Sequence, residues 1–214
     1  MAGIHQGTFG IILALPIVLV HGYAEDATVW DSWKDWLAAD NFTEVQTVTF
    51  SKNDQCGTVA DHVAELNKIV NQNGTVNMVV HSKGGLDARS YIAQNPHKVA
   101  NLIMIGTPNL GTAAAYTDFT SCAGSPALLD LQPDSAATKA PDRNDTSYWA
   151  IAGNYPVPCL IVVERAACFV VANDGFVEVQ SALSNYTSLG TFPYNHNTLL
   201  TQRDVYERVK QVID

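Results

Sequence analysis

Residues 77–85 read NMVVHSKGG, an apolar run that ends at a serine followed closely by two glycines. The run is typical of a strand buried on both faces, and the segment from Gly84 to Gln94 has the length of a helix. Ser82 therefore lies where a strand turns sharply into a helix. A serine at such a point is either the polar cap of the helix or a nucleophile whose oxygen the turn exposes.

The same alternation of strand and helix extends along the chain. Strands are predicted at the apolar, β-rich runs PIVLV, EVQTVTF, VNMVV, VANLIMIG, YWAIAG and SNYTSLG, and helices over residues 27–39, 58–71, 84–94 and 197–214. Strands that are apolar on both faces and alternate with helices are typical of parallel sheets. The sequence predicts an α/β fold, a doubly wound and mostly parallel sheet of about six strands with helices on both faces.

The length of 214 residues allows one sizeable core but not two ordinary domains, so residues 1–214 are predicted to form a single domain. The stretch from Gly10 to Val20 is too short to span a bilayer and is predicted to be the first buried strand. The interval 112–147 breaks the alternation and has only a short apolar patch, Ala127 to Leu131. This interval is predicted to be an insertion over one edge of the sheet.

Charge and cysteine content narrow the classes of function. The net charge of -9 leaves no basic surface on which to bind a phosphate backbone, so nucleic acid is not expected as a partner. Cys56, Cys122, Cys159 and Cys168 lack the C-x-x-C spacing of zinc sites. Three disulfide pairings are open, and Cys159 and Cys168 are near enough to close a short loop. A bridged protein is expected to be secreted or extracytoplasmic, and four free thiols would favour the cytoplasm.

If Ser82 is a nucleophile, it needs a base, an acid that orients the base, and donors for an oxyanion. His196 is the histidine that fits the chain order serine, acid, histidine. Asp174, in an Asp-Gly turn after an apolar run, is the predicted acid. The backbone N–H groups of Tyr23, after the His21-Gly22 turn, and of Lys83 are the predicted donors.

Each of these residues also has an ordinary structural interpretation as a helix cap, a loop histidine or a turn former. Other acids compete with Asp174 from within the insertion, namely Asp130, Asp134, Asp142 and Asp145. Ser82, Asp174 and His196 occur together in the chain order of a catalytic triad. This combination favours an enzyme, because a non-catalytic binding protein does not require it.

Taken together, the motifs resemble those of the α/β-hydrolase superfamily, and most closely its small lipases and esterases. The segments IVLVHGY, VVHSKGGLDAR, LIMIGTPNLGT, NDGFV and the NHN loop occur in the order found in that family. The resemblance extends from Leu15 to the C-terminus and excludes the insertion. Related enzymes often carry a lid at this position, so residues 112–147 are either a lid-like insertion over an acyl-binding cleft or an ordinary surface excursion. Val80 departs from it, because the family pattern G-x-S-x-G has glycine there. Lys83 also departs mildly, and its side chain is expected to tune the charge at the mouth of the cleft.

The resemblance implies a carboxylic-ester hydrolase, an esterase or lipase. Ser82 would be the nucleophile, His196 the general base and then acid, and Asp174 the residue that orients it, with Tyr23 and Lys83 binding the oxyanion. No metal or organic cofactor is required, and the expected partner is a small-molecule or lipid ester, with transient contact to a lipid or polymer surface. The same residues would serve an amidase, thioesterase or acyltransferase. A non-catalytic binding module is the remaining alternative, which Val80 favours.

Overall fold

The computed structural model describes residues 14–51, 54–117, 120–155 and 171–214. Its strands are β1 Ile17–Val20, β2 Val45–Thr47, β3 Val76–His81, β4 Val99–Ile105, β5 Ser147–Gly153 and β6 Thr187–Phe192. Its α-helices are α1 Asp31–Ala39, α2 Val59–Val70, α3 Gly84–Gln94, α4 Ala127–Leu131, α5 Val179–Leu183 and α6 Arg203–Ile213. Among these described ranges, no helix is both long and apolar enough to cross a bilayer.

The strands form one parallel sheet in the order β2-β1-β3-β4-β5-β6. From β1 the chain adds β2 on one side and then β3 on the other, so the order reverses between β1 and β3. Ligands of such sheets bind beyond the carboxyl ends of the strands at this reversal. The predicted fold class is confirmed, and the segments that follow β1 and β3 are the turns at Gly22 and Ser82.

Both faces of the sheet are covered by helices, as the two-sided apolar pattern predicts. Alternate residues of one strand enter different cores. Val18 and Val80 pack with apolar residues of α2 and α3, whereas Leu19 and Val79 pack with residues of α1 and α6. Burial on both faces explains why the strands lack the polar alternation of a half-exposed sheet.

The ends of several elements differ from the predictions. β1 begins at Ile17 rather than Gly10, and residues 10–13 of the predicted strand lie outside the described residues. The helices predicted over 27–39 and 197–214 each begin with a 3-10 turn before the α-helix starts. Such terminal turns share the apolar spacing of the helix that follows them, so periodicity does not separate the two.

The insertion between β4 and β5 is joined to the rest of the protein at several points. A disulfide links Cys122 to Cys56, with 5.3 Å between the α-carbons. The Tyr23 hydroxyl donates to the carbonyl oxygen of Cys122 at 2.7 Å. On α4, the Asp130 carboxylate accepts from the N–H of Val59 at the start of α2, at 2.7 Å. The bridge is one of the pairings that the sequence left open; Cys159 and Cys168 lie outside the described residues.

Candidate active site

Ser82 follows β3 directly and has a φ of +51°, in the left-handed region that non-glycine residues rarely occupy. Strain of this kind is typical of functional turns. The residue that caps α3 is Lys83 rather than Ser82, and no side-chain hydrogen bond caps the helix. The turn therefore presents the serine at the N-terminus of an 11-residue helix without using it as a cap.

Val80 occupies the position of the first glycine in the G-x-S-x-G pattern, and other glycines make room for this turn. A β-carbon on Gly22 would lie 2.6 Å from the β-carbon of Ser82, and one on Gly84 would lie 2.5 Å from the carbonyl oxygen of His21. Val80 instead sits in the sheet, paired with Val20 of β1, and its side chain is fully buried. The glycines at the close contact between the turns after β1 and β3 are therefore Gly22 and Gly84, and Val80 is accommodated within the strand.

His196 and Asp174 form a buried hydrogen-bonded pair. The His196 Nδ1 atom lies 2.8 Å from Asp174 Oδ2, and the His196 backbone N–H donates to the Asp174 carbonyl oxygen at 2.9 Å. Asp174 Oδ1 accepts from the N–H groups of Phe176 and Val177 at 3.0 and 2.8 Å. The same carboxylate thus holds its own turn and orients the imidazole through opposite oxygens.

Charge pairing changes the acidity of both groups. Burial disfavours the charged forms, but the positive charge of His196 and the hydrogen bonds from it and from two N–H groups lower the pKa of Asp174. Burial also opposes a charge on His196, yet the Asp174 carboxylate outweighs burial and raises the pKa of His196 above its usual value. The pair is therefore arranged to stabilise an imidazolium.

The side chain of Lys83 lies inside the protein rather than at the cleft mouth, contrary to the expectation. Its ammonium donates to Asp87 one turn further along α3, at 2.7 Å, and both side chains are about 1% exposed. Asp87 also contacts His62 Nδ1 at 2.9 Å. Burial opposes the charge on Asp87, but the ammonium of Lys83 keeps the pKa of this carboxyl low. The buried ion pair fixes the start of α3, because removing either partner would leave an uncompensated charge.

The backbone N–H of Lys83 makes no hydrogen bond within the described part of the chain. Tyr23 follows Gly22, where an added β-carbon would meet the β-carbon of Ser82. Both predicted donors thus adjoin the serine. Ser82 and His196 line the same cleft, but no hydrogen bond joins Ser82 Oγ to the ring of His196 among the described residues. Hydrogen bonds between reactive groups are often long in structures without a ligand.

A cleft of about 600 Å³ contains Ser82 and His196 in its wall, together with Tyr23. Most of its other walls are apolar or carry small hydroxyl side chains, and they include Val29, Pro108, Ala114, Ala115, Leu128, Leu131, Phe176, Val177 and Leu200. Of the apolar patch in the insertion, Leu128 and Leu131 line the cleft, Ala127 is buried, and Leu129 is 62% exposed. The site joins polar reactive groups to apolar walls, as ligand pockets of this size usually do.

Two residues that the sequence interpretation did not single out as functional lie at the same site. Glu25 accepts a hydrogen bond from Gly22 and contacts His81, and His81 contacts the carbonyl oxygen of His196. The available signals were an acid three residues after Gly22 and a histidine directly before Ser82. Neither signal predicts which residue the side chain contacts, because Glu25, His81 and His196 are far apart in sequence.

The sequence pattern of the palmitoyl protein thioesterase family matches residues 16–150, which is more than half of the chain. The chain belongs to this family. The matched residues include Ser82 and the turn at Gly22 but end before Asp174 and His196. No curated protein matches the chain in sequence.

Solved structures with the same fold include lipases and esterases. The mature lipase BlEst2 of Bacillus licheniformis has a TM-score of 0.72 at 23% identity, with 94% of this chain and 93% of that chain covered. The metagenomic carboxyl esterase MGS0156 has a TM-score of 0.69 at 17% identity, with 94% and 76% covered. A carboxylesterase of the thaumarchaeon Nitrososphaera gargenis has a TM-score of 0.62 at 14% identity, with 93% and 89% covered. At these identities the likeness extends to the α/β-hydrolase fold.

Proposed function

We propose that this protein hydrolyses carboxylic esters through a covalent acyl-enzyme on Ser82. The observation that carries the proposal is the buried His196–Asp174 pair at 2.8 Å, with His196 in the wall of the cleft that holds the strained Ser82 turn. A serine hydroxyl is a weak nucleophile until a neighbouring base removes its proton. The arrangement supports that role for His196.

In the first step, Ser82 Oγ attacks the acyl carbonyl while His196 Nε2 takes the hydroxyl proton. Asp174 holds Nδ1–H and stabilises the imidazolium that forms. The N–H groups of Tyr23 and Lys83 stabilise the oxyanion, each contributing roughly a hundredfold or more in rate. His196 then protonates the departing alcohol, and the acyl group stays on Ser82.

In the second step, His196 removes a proton from water, and the resulting attack releases the acid and restores Ser82. The cleft walls support an apolar acyl group as the preferred substrate, because Leu128, Leu131 and Val177 would bury its chain. Phe176 lines the cleft and is 44% exposed, a position suited to transient contact with a lipid surface.

A thioesterase is the second candidate, and membership of the palmitoyl protein thioesterase family favours it. The same acyl-enzyme serves both reactions, since only the departing group differs. The Cys56–Cys122 disulfide supports an oxidising, extracytoplasmic location for either activity.

The test combines active-site labelling with a matched substrate panel. A fluorophosphonate probe should label Ser82, and Ser82→Ala should abolish both labelling and turnover. Ester, thioester and amide substrates with the same acyl chain should be compared by kcat/KM, with turnover of the ester highest. Near-native activity in Ser82→Ala would refute the proposal, and a strong preference for the thioester substrate would favour a thioesterase. An unlabelled wild-type protein would support a binding module.

A further inference from the structure

We propose that Glu25 and His81 form a buried ion pair that positions the base His196 and the oxyanion turn at Gly22 relative to Ser82. This inference rests on the proposed hydrolase function. Neither residue takes part in the proton transfers described above. Both are positioning residues, because they act through the groups that they hold.

Glu25 connects the turn after β1 to the end of β3 through a single oxygen atom. Its Oε2 accepts from the Gly22 backbone N–H at 2.7 Å and from His81 Nδ1 at 2.8 Å. The Glu25 side chain is 15% exposed, and that of His81 is fully buried. Burial opposes the charge on the carboxylate, but the charge of His81, the hydrogen bonds from His81 and Gly22, and the charge of His196 together lower the pKa of Glu25 to about 2. The carboxylate therefore stays ionised in a mostly buried place.

His81 connects the same oxygen to the loop that carries the base. Its Nε2 donates to the backbone carbonyl oxygen of His196 at 3.2 Å, and the two ring centroids are 4.6 Å apart. Both ring nitrogens of His81 thus face oxygens that can only accept hydrogen bonds. A ring that donates at both ends carries a positive charge, which the charge of Glu25 offsets.

The pair adjoins each reactive group along the chain. Gly22 precedes Tyr23, a predicted oxyanion donor, and His81 precedes Ser82. The third contact reaches His196 itself. Three segments far apart in sequence are therefore held by one carboxylate and one imidazole. A misplacement of reactive groups by about 1 Å costs roughly a hundredfold in rate, so a network of this kind has kinetic consequences.

A second histidine–carboxylate pair on the same turn provides a matched control. His21 Nε2 lies 3.0 Å from Asp54 Oδ1, and His21 Nδ1 lies 3.0 Å from the Gly22 carbonyl oxygen. Like His81, His21 is about 1% exposed or less. This pair makes no contact with His196 within the described residues. Asp54→Asn therefore removes a comparable interaction without loosening the base.

The variants Glu25→Gln, His81→Gln and Asp54→Asn should be compared with the wild type by kcat, KM and thermal unfolding on one activated ester. Glu25→Gln and His81→Gln should lower kcat by about 10- to 100-fold, with a smaller change in KM. Glu25→Gln removes the negative charge that offsets a positively charged His81 ring. A neutral ring has only one N–H, so it can donate to the oxygen of residue 25 or to His196 but not to both. Asp54→Asn should lose stability but keep a kcat close to that of the wild type.

The pH dependence of kcat/KM separates positioning from a purely structural role. Among the described residues, Asp174 and Glu25 act on the charge of His196, and the ring of His81 lies 4.6 Å from its ring. His81→Gln leaves the Glu25 charge without its counterion, and this charge stabilises protonated His196. The acid limb of the profile should therefore move to higher pH in His81→Gln and stay in place in Asp54→Asn. A variant that merely folds less well would show no such shift.

The inference would be overturned if folded Glu25→Gln and His81→Gln kept the wild-type kcat and the acid limb did not move. It would also be overturned if Asp54→Asn showed the same loss of kcat and the same shift of the acid limb. If the two variants do not fold, the milder Glu25→Asp variant decides, because it keeps the negative charge but is one methylene too short to reach both the Gly22 N–H and His81 Nδ1. Folded Glu25→Asp should also lower kcat, and a wild-type kcat in this variant would overturn the inference. Failure of the proposed function has a different signature, because the wild type itself would then lack turnover and labelling at Ser82.

Discussion

Gly22→Ala tests whether the close approach between the turn after β1 and the turn at Ser82 governs catalysis. A β-carbon at residue 22 would lie 2.6 Å from Ser82 Cβ and 3.2 Å from the His81 carbonyl oxygen. Ordinary carbon contacts begin near about 3.5 Å, so the two turns must separate by roughly 1 Å. Gly22 does not have a positive φ, so the effect is steric rather than conformational.

Separation by that distance moves the Tyr23 N–H away from the oxyanion and should lower kcat/KM by about 100-fold, or about 2.7 kcal/mol in activation free energy. Overpacking should also lower the free energy of unfolding by about 1–3 kcal/mol. The assay is steady-state hydrolysis of a p-nitrophenyl ester, together with thermal unfolding to show that the variant is folded.

Gly74→Ala is the matched control for this substitution. A β-carbon on Gly74 would meet nothing within 4 Å, although its φ of +72° makes alanine strained there. This variant should lose about 1 kcal/mol of stability and keep wild-type kcat/KM. A folded Gly22→Ala protein with kcat/KM equal to that of Gly74→Ala would refute the steric argument.

Three further predictions concern the base and the insertion. Asp174→Asn should lower kcat by about 10³- to 10⁴-fold, because an amide can hold His196 in the wrong tautomer; a loss below tenfold at saturating ester would contradict this. The raised pKa of His196 places the acid limb of kcat/KM above the ordinary histidine value of 6.5, since the neutral ring is the active base; a midpoint below that value would contradict the assignment. Replacing both Cys56 and Cys122 by serine opens a loop with a sequence separation of 66. The free energy of unfolding should then fall by about 4 kcal/mol in urea titrations, and an unchanged value would argue against the bridge.

The sheet could be predicted because its signal is local. Each strand is a short apolar run, and each helix repeats its apolar residues at helical spacing, so neighbouring letters contain the pattern. Element ends were less accurate, as the 3-10 turn at Ala27–Trp30 illustrates. Ser82, Asp174 and His196 could also be proposed as one site from their order along the chain. Residues that follow different strands meet in this fold, because the carboxyl ends of parallel strands lie at one edge of the sheet.

The sequence by itself thus determined the parallel fold and the candidate nucleophile, acid and base. Only the tertiary structure decided how they are supported. Glu25 meets His81 across 56 residues, Cys56 meets Cys122 across 66, and room for the serine turn comes from Gly22 rather than from residue 80. Contacts of this kind leave no periodic trace in the chain, because they depend on how distant segments pack rather than on which residues are neighbours.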